Sequence, residues 1–290
     1  MMLRAHRRTF LRSALAAPLL LGGCSPFAIV NGLVPANGYR ARTDLAYGAH
    51  ARHRLDVYQP DAAEGSAPVV VFFYGGNWNT GQRGNYRFVG EALASRGFIA
   101  VIPDYRLYPE VRYPDFLHDG AAAVRWTLDR IEDLGGSSSP LFLMGHSAGA
   151  YNAAMLALNP ELLGSVNVGP SHVRGFIGLA GPYDFLPLTS PVTRAVFGYP
   201  DTPRTTQPIE FASTDDPPAL LITGNNDKVV DPGNSARLAA RLRNSGVRVR
   251  EIVYPDVSHP VLVGSLAAPL RRLSPVLEDV ASFITDPKTA

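Results

Sequence analysis

Short apolar runs, each bounded by Gly, Pro or Asp, recur along the chain and alternate with segments long enough to form helices. Strands that are apolar on both faces are typical of a parallel sheet covered by helices on each side. The runs that fit this description are 69–74, 98–102, 141–144, 176–179 and 219–223. A half-exposed strand is predicted at 55–58, where apolar and polar residues alternate, and a last strand at 247–254. The chain has 290 residues, of which 46% are hydrophobic, enough for one large domain of this kind.

Helices are predicted in the segments between the strands. These segments are 86–95, 115–132, 148–158, 234–244 and 273–284. The alternation predicts an α/β fold with a doubly wound, mostly parallel sheet, which binds ligands at the carboxyl ends of its strands. The proline-rich stretch 181–218 breaks the alternation. A connection of that length predicts a lid-like insertion beside a site.

The N-terminal segment 1–23 has the features of a targeting signal. A basic stretch that includes Arg7 and Arg8 precedes an apolar run at 14–21. This run is far shorter than the ~20 residues that a membrane-spanning helix needs. The basic stretch resembles a twin-arginine export signal, and the residues that end at Cys24 resemble a bacterial lipobox, in which the cysteine is acylated.

We therefore expect three parts in the chain: a signal peptide at 1–23, a tether at 24–39 after a lipidated Cys24, and a domain at 40–290. A lipid anchor would hold the protein at a membrane surface of the bacterial envelope, facing the periplasm or at the outer membrane. An ordinary signal peptide with a chance cysteine and an uncleaved anchor are the alternatives.

Charge and cysteine content exclude several classes of function. The formal net charge is +2, and removal of 1–23 leaves 23 basic and 25 acidic residues, so no nucleic-acid partner is expected. A single cysteine excludes an internal disulfide and a metal site built from several thiolates. We expect no metal and no cofactor, and the sequence leaves the oligomeric state open.

The segment Gly145-His146-Ser147-Ala148-Gly149 is the strongest functional signal. It follows an apolar strand and begins an alanine-rich helix, which is the arrangement of a nucleophile elbow. Small residues at 145 and 149 suit a tight turn in which Ser147 has a strained backbone. The alternative is a serine that only caps a helix.

A serine nucleophile needs a base and an acid to orient that base. In the nucleophile-elbow fold the acid and then the histidine follow the serine, on loops after late strands. Asp227 follows the run at 219–223, and His259 follows the last strand. Ser147, Asp227 and His259 are therefore the predicted catalytic residues. His172, which precedes a strand, is the other candidate base, and Asp231 is the rival acid.

The run at 69–74 leads directly into Gly75-Gly76-Asn77-Trp78. Acyl transfer needs hydrogen-bond donors for the developing oxyanion, and glycines let backbone amides approach a ligand closely. We expect the amides of Gly76, Asn77 and Ala148 to form the oxyanion hole, with Gly75 as a substitute. A phosphate-binding loop and a plain tight turn are the alternatives, but no Gly-Lys-Ser/Thr follows.

This set of motifs resembles a known family. The resemblance covers about 50–285 and rests on the motifs above together with Asp104-Tyr105-Arg106, Tyr113-Pro114, Asp119 and Trp126. The motifs resemble those of α/β-hydrolase esterases of the hormone-sensitive-lipase and bacterial carboxylesterase type, including the formamidase-like branch. The resemblance implies that Asp104 and Arg106 brace the site. Tyr74 departs from the family pattern, which usually has His there to brace the oxyanion loop.

The resemblance and the residues together predict a serine hydrolase that cleaves a small-molecule carboxylic ester through an acyl-enzyme. A formamidase or aryl-amide hydrolase with the same triad is one alternative, suggested by the Gly-Gly-x-Trp form of the loop. A non-catalytic, surface-tethered binding protein on a hydrolase scaffold is another.

Overall fold

A computed structural model describes residues 26–62, 67–136 and 141–289. The predicted signal peptide at 1–23 and Cys24 lie outside these residues. Eight strands form one sheet in the order β1-β2-β4-β3-β5-β6-β7-β8. The strands are β1 Tyr39–Ala46, β2 Arg54–Pro60, β3 Val69–Phe73, β4 Ile99–Pro103, β5 Leu141–His146, β6 Val173–Leu179, β7 Ala219–Gly224 and β8 Val249–Tyr254.

The sheet is parallel from β4 to β8, and only β1 and β2 run antiparallel to their neighbours. Every residue of β3, β4, β5 and β7 is buried, as expected of strands covered on both faces. The predicted mostly parallel α/β sheet is confirmed. The sequence pattern did not indicate β1, which is exposed along most of its length.

Nine α-helices are assigned in the described part of the chain. They are α1 Pro26–Gly32, α2 Arg87–Ala94, α3 Asp115–Arg130, α4 Ala148–Leu158, α5 Pro160–Gly164, α6 Pro191–Phe197, α7 Gly233–Asn244, α8 His259–Gly264 and α9 Val276–Thr285. Five of them lie within about three residues of the predicted helices, and α1, α5, α6 and α8 are additional. Within the described ranges, no helix has the length and apolar character needed to cross a membrane.

The helices cover both faces of the sheet. Successive side chains of a strand point to opposite faces. Phe142 and Phe73 belong to opposite faces, because Phe73 is level with Gly145 in the register of β3 and β5. The Phe142 ring contacts Phe283 of α9, whereas Phe73 lies against Gly120 of α3. The sheet is therefore doubly wound, as predicted.

Two predicted irregular segments have more structure than expected. Part of the segment 24–39, predicted as a tether, forms α1, and Asn31 of this helix donates to the carbonyl of Gly84 at 2.9 Å. The predicted lid-like insertion 181–218 contains α6, and its Phe197 packs edge-on against Trp78 at 4.8 Å. Both segments therefore pack against the rest of the domain through aromatic side chains, Phe27 of α1 against Tyr86 and Phe197 of α6 against Trp78.

Candidate active site

Ser147 occupies a sharp turn between β5 and α4, with φ 56° and ψ −126°. A non-glycine residue at positive φ is strained, and such strain persists only where its surroundings enforce it. Here the Ser147 amide donates to the carbonyl of Leu179 on β6 at 2.9 Å. A Cβ on Gly149 would collide with the backbone carbonyl of Phe73, and one on Gly145 with that of Gly149. Both small residues are therefore required by packing, as the sequence predicted.

His259 and Asp227 form a buried hydrogen-bonded pair. His259 begins α8 after β8, and its Nδ1–H donates to Oδ2 of Asp227 at 2.7 Å. The other oxygen, Oδ1, accepts the backbone N–H groups of Val229 and Val230 at 2.8 and 2.9 Å. Asp227 is 6% exposed. Both carboxylate oxygens thus accept hydrogen bonds, and the bond from Oδ2 to Nδ1 fixes the imidazole tautomer.

Ser147 and His259 lie in the wall of one cavity of about 580 Å³. Among the described residues, no hydrogen bond joins the serine hydroxyl to the imidazole. Catalytic hydrogen bonds are often long or poorly aligned before substrate binds. The structure thus joins the predicted base and acid by a hydrogen bond and places the predicted nucleophile in the wall of the same cavity as the base.

The loop after β3 supplies the predicted oxyanion donors. Gly75, Gly76 and Asn77 line the cavity with Ser147, and a Cβ on Gly75 would lie 2.9 Å from the Ser147 Cβ. Gly76 and Asn77 have φ of 134° and 51°. Within residues 26–62, 67–136 and 141–289, the amides of Gly76, Asn77 and Ala148 have no acceptor. Unpaired N–H groups beside a nucleophile can stabilise an oxyanion.

Tyr74, the departure from the family pattern, braces this loop. Its hydroxyl donates to Asp104 Oδ1 at 2.8 Å and accepts from Arg52 at 2.8 Å. Its ring is stacked on Tyr105 at 4.8 Å and on Tyr86 at 5.4 Å. Burial raises the pKa of the Tyr74 phenol well above its ordinary value of 10.0, and the neighbouring Tyr105 and Asp104 raise it further. The neutral Tyr74 phenol therefore braces the oxyanion loop in place of the histidine that is usual in the family.

Asp104 and Arg106 form hydrogen bonds with residues that do not contact Ser147, as expected of residues with a structural role near the site. Asp104 accepts the backbone N–H of Arg83 at 2.7 Å and also its guanidinium. Arg106 pairs with the buried carboxylate of Asp119 at 2.7 Å, and His53 contacts the same carboxylate. The sequence analysis missed Arg83, which begins a short 3-10 helix, because no local pattern marks it as the partner of Asp104.

His146 is a second residue that the sequence analysis did not assign to the site. Its ring lies 4.6 Å from the ring of His259, and its Nε2 is 3.2 Å from the His259 carbonyl. Its Nδ1 is buried and has no partner among the described residues. Burial lowers the pKa of the His146 imidazole well below its ordinary value of 6.5, and the nearby His259 lowers it further. His146 therefore stays neutral and donates Nε2–H to the backbone of the base.

The rival residues from the sequence analysis lie away from the imidazole of His259. Asp231 accepts the amide of Gly233 at 3.0 Å and pairs with Arg237 at 3.3 Å. His172 bonds through Nδ1 to the carbonyl of Gly169 on the exterior. Neither is hydrogen-bonded to Ser147, His259 or Asp227. In the part of the chain that the structure describes, no three His, Cys, Asp or Glu side chains are grouped to hold a metal ion.

Ser147 also lines a second cavity, of about 520 Å³. Its wall includes Trp78 and, from the insertion, Phe185 and Thr189. The insertion therefore forms part of the wall of this cavity. Trp78 is nearly fully buried, and its Nε1–H donates to Asn152 at 2.9 Å, so the indole nitrogen is committed to the core. Ser147 thus lines two cavities, each large enough for part of a small molecule.

A sheet of this strand order, with a strained serine between β5 and α4, is the arrangement that defines the α/β-hydrolase class. The chain belongs to the BD-FAE family, whose family model matches residues 55–242.

Several curated proteins are similar to this chain. It is 26% identical over 290 residues to the probable isoprenylcysteine alpha-carbonyl methylesterase ICMEL1 of Arabidopsis thaliana, a match that covers 90% of this chain and 60% of that protein. It is 28% identical over 241 residues to the esterase LipC of Mycobacterium tuberculosis, covering 76% of this chain and 60% of LipC. The chain therefore spans about 60% of the length of these curated relatives.

Solved structures share the fold. A hyperthermophilic esterase from Pyrobaculum calidifontis superposes with a TM-score of 0.75 at 24% identity, covering 91% of each chain. A truncated carbohydrate esterase from gut microbiota superposes with a TM-score of 0.77 at 22% identity, covering 89% of this chain and 99% of that one. Both confirm the α/β-hydrolase fold.

Proposed function

We propose that this protein is a serine hydrolase that cleaves carboxylic esters through an acyl-enzyme. The observation that carries the proposal is the buried His259–Asp227 hydrogen bond of 2.7 Å in the wall of the cavity that holds the strained Ser147. The names of the relatives support an ester as substrate, since ICMEL1 is described as a methylesterase and LipC as an esterase.

In the proposed reaction the Ser147 hydroxyl attacks the ester carbonyl while His259 Nε2 accepts its proton. Asp227 keeps the proton of the imidazole on Nδ1, so that Nε2 is free to act as the base. The imidazolium then protonates the departing alcohol. A water molecule activated by the same imidazole hydrolyses the acyl-serine, which releases the acid and regenerates the enzyme.

The negative charge of each tetrahedral intermediate develops on the former carbonyl oxygen. We assign its stabilisation to the amides of Gly76, Asn77 and Ala148, which have no acceptor among the described residues. The Ala148 amide also lies at the amino end of α4, where the helix dipole favours negative charge. The loss of one such donor typically costs about 2.7–4 kcal/mol of transition-state stabilisation.

An active-site phosphonate probe tests the nucleophile. The probe is expected to label the purified protein stoichiometrically, and Ser147→Ala is expected to abolish labelling. Ser165→Ala is the matched control, because Ser165 is exposed and ends α5, outside the cavity that holds Ser147. Labelling that persists in Ser147→Ala would refute the assignment.

A comparison of substrates separates the ester hydrolase from its alternatives. We expect turnover of short acyl esters to exceed that of N-formyl aromatic amides. The reverse preference would identify a formamidase. No turnover on any ester, together with ligand binding that is insensitive to Ser147→Ala, would identify a binding protein instead.

We further propose that the protein is exported and held at the bacterial envelope by acyl chains on Cys24. The support is the sequence alone: the basic stretch, the apolar run at 14–21 and the single cysteine of the chain at the lipobox position. Mass spectrometry of the mature N-terminus should find an acylated Cys24. Cys24→Ser should move the protein from the membrane to the soluble fraction, and an unmodified cysteine in the mature protein would refute this proposal.

A further inference from the structure

The helix α1 is apolar on both of its faces. On the inner face Phe27 contacts the ring of Tyr86 at 5.3 Å, and Val30 is half-buried. On the outer face Ile29 is 57% exposed, and Leu33, one residue beyond the helix, is 59% exposed. The helix carries no acidic residue in its first turn and no basic residue in its last. A surface helix normally has a polar outer face, and nothing in residues 26–62, 67–136 and 141–289 covers the apolar outer side of this one.

The inner face of α1 is also a wall of the candidate active site. Phe27 and Val30 line the 580 Å³ cavity that holds Ser147 and His259. Apolar residues from other elements complete this wall, among them Phe88, Val229 and Val263. Val229 is itself 63% exposed. The cavity is therefore apolar and continues at its edge into apolar surface.

The chain that precedes α1 indicates what covers the outer face. No charged residue occurs from 25 to 39, and Cys24, the proposed site of the acyl chains, lies two residues before α1 in the sequence. The side chain of Asn31 fixes the helix to the domain through Gly84 and through the amide of Phe88 at 3.2 Å. A segment of this composition, held rigidly beside an apolar cavity, is suited to contact with a lipid surface.

We propose that the outer face of α1 docks on a lipid bilayer and that the substrate is an ester with a long hydrocarbon chain, taken from that bilayer into the cavity. This inference rests on the proposed ester hydrolysis. Ile29 and Leu33 insert into the lipid surface, and the hydrocarbon chain passes along Phe27 and Val30 to bring its ester to Ser147. Contact with the apolar side chain of Val229 shields the hydrocarbon chain of the substrate from water as it passes from the bilayer into the cavity.

The test compares one variant and one matched control on two substrates. Ile29→Asn with Leu33→Asn removes the outer apolar face without touching the cavity wall. Val253→Asn with Leu273→Asn makes the same chemical change at two residues that are 52% and 51% exposed and that do not line the cavity. The substrates are p-nitrophenyl butyrate in solution and p-nitrophenyl palmitate carried in phosphatidylcholine vesicles, each used with the full-length protein as purified.

We expect the α1 variant to hydrolyse the soluble butyrate within about twofold of wild type. Its rate on the vesicle-borne palmitate should fall roughly 30-fold, which corresponds to the half-burial of two aliphatic side chains that no longer occurs. The control variant should retain wild-type rates on both substrates.

Equal rates of variant and wild type on the vesicles would overturn the inference, as would an equal loss on both substrates, which would indicate a structural role. A dimer that dissociates in the α1 variant, with the vesicle rate unchanged, would assign the face to a second copy of the chain and overturn it as well. A wild-type protein inactive on soluble butyrate would instead contradict the proposed function itself.

Discussion

Replacement of Asp227 by Asn tests the role of the buried acid with almost no change of shape. Oδ1 accepts two backbone N–H groups, from Val229 and Val230. The oxygen of the new amide must stay at this position, because an NH₂ group there would face two backbone N–H donors. The NH₂ group therefore occupies the Oδ2 position, 2.7 Å from Nδ1 of His259. Two donors cannot bond to each other, so the imidazole must move its proton from Nδ1 to Nε2.

An imidazole with its proton on Nε2 cannot accept the proton of Ser147. The alternative, an amide turned around, would place its NH₂ group against two backbone N–H donors and leave both of them without an acceptor. The change of tautomer pairs every group and is therefore preferred. The same substitution in a Ser-His-Asp protease lowers kcat about 10⁴-fold, and we expect a loss of that order here. It corresponds to about 5 kcal/mol of transition-state stabilisation.

The assay is the steady-state kcat on p-nitrophenyl butyrate, with thermal unfolding measured in parallel to show that the variant folds. Asp256→Asn is the matched control, because Asp256 is exposed in the loop before His259 and already has a left-handed φ of 58°, which Asn tolerates. It should retain wild-type kcat. A loss below tenfold in Asp227→Asn, or a large loss in Asp231→Asn instead, would refute the reasoning.

Three further substitutions follow from the same structure. Tyr74→Phe removes a hydroxyl bonded to a buried carboxylate, and urea denaturation should report a loss of about 1.5–3 kcal/mol, whereas unchanged stability would contradict the bracing role. Gly76 has φ 134°, and in Gly76→Ala the new Cβ would collide with the carbonyl of Thr80, so kcat/KM should fall at least about 100-fold. Gly84 has open space around it, and Gly84→Ala should leave kcat/KM unchanged. His146 has a lowered folded-state pKa, so below pH 6.5 the unfolded chain binds a proton that the folded protein does not. This group should therefore lower the free energy of unfolding by about 1.4 kcal/mol for each unit that the pH falls below 6.5, and His146→Gln should remove this contribution. If the pH dependence of stability between pH 6.5 and 5 is the same in wild type and variant, His146 is not held neutral.

The sheet and the elbow were predictable because their causes are local. A strand buried on both faces must be apolar along its length, and β3, β4, β5 and β7 have this pattern without reference to any other part of the chain. The elbow requires small residues at Gly145 and Gly149, and these positions are also read directly from the sequence. The exposed β1 and the short α1 lack such a pattern and were not predicted.

The pairing within the site was predictable only as a set of candidates. Asp227 and Asp231 lie four residues apart after the same strand, and the sequence analysis left both open. The path of the loop decides between them: the turn that brings the amides of Val229 and Val230 onto Asp227 also directs this carboxylate to His259, 32 residues away. Asp231 is directed to Arg237.

The α/β class, strands β2 to β8 and the position of Ser147 follow from the sequence alone, because hydrophobic periodicity and glycine positions act within a few residues of one another. Only the tertiary structure decided that Tyr74 braces the oxyanion loop through Arg52 and Asp104, that His146 lies against the base, and that α1 forms a wall of the cavity. Each of these contacts joins segments that are distant in the chain. Their meeting depends on the order of strands in the sheet and on the course of the loops, which no local pattern of residues specifies.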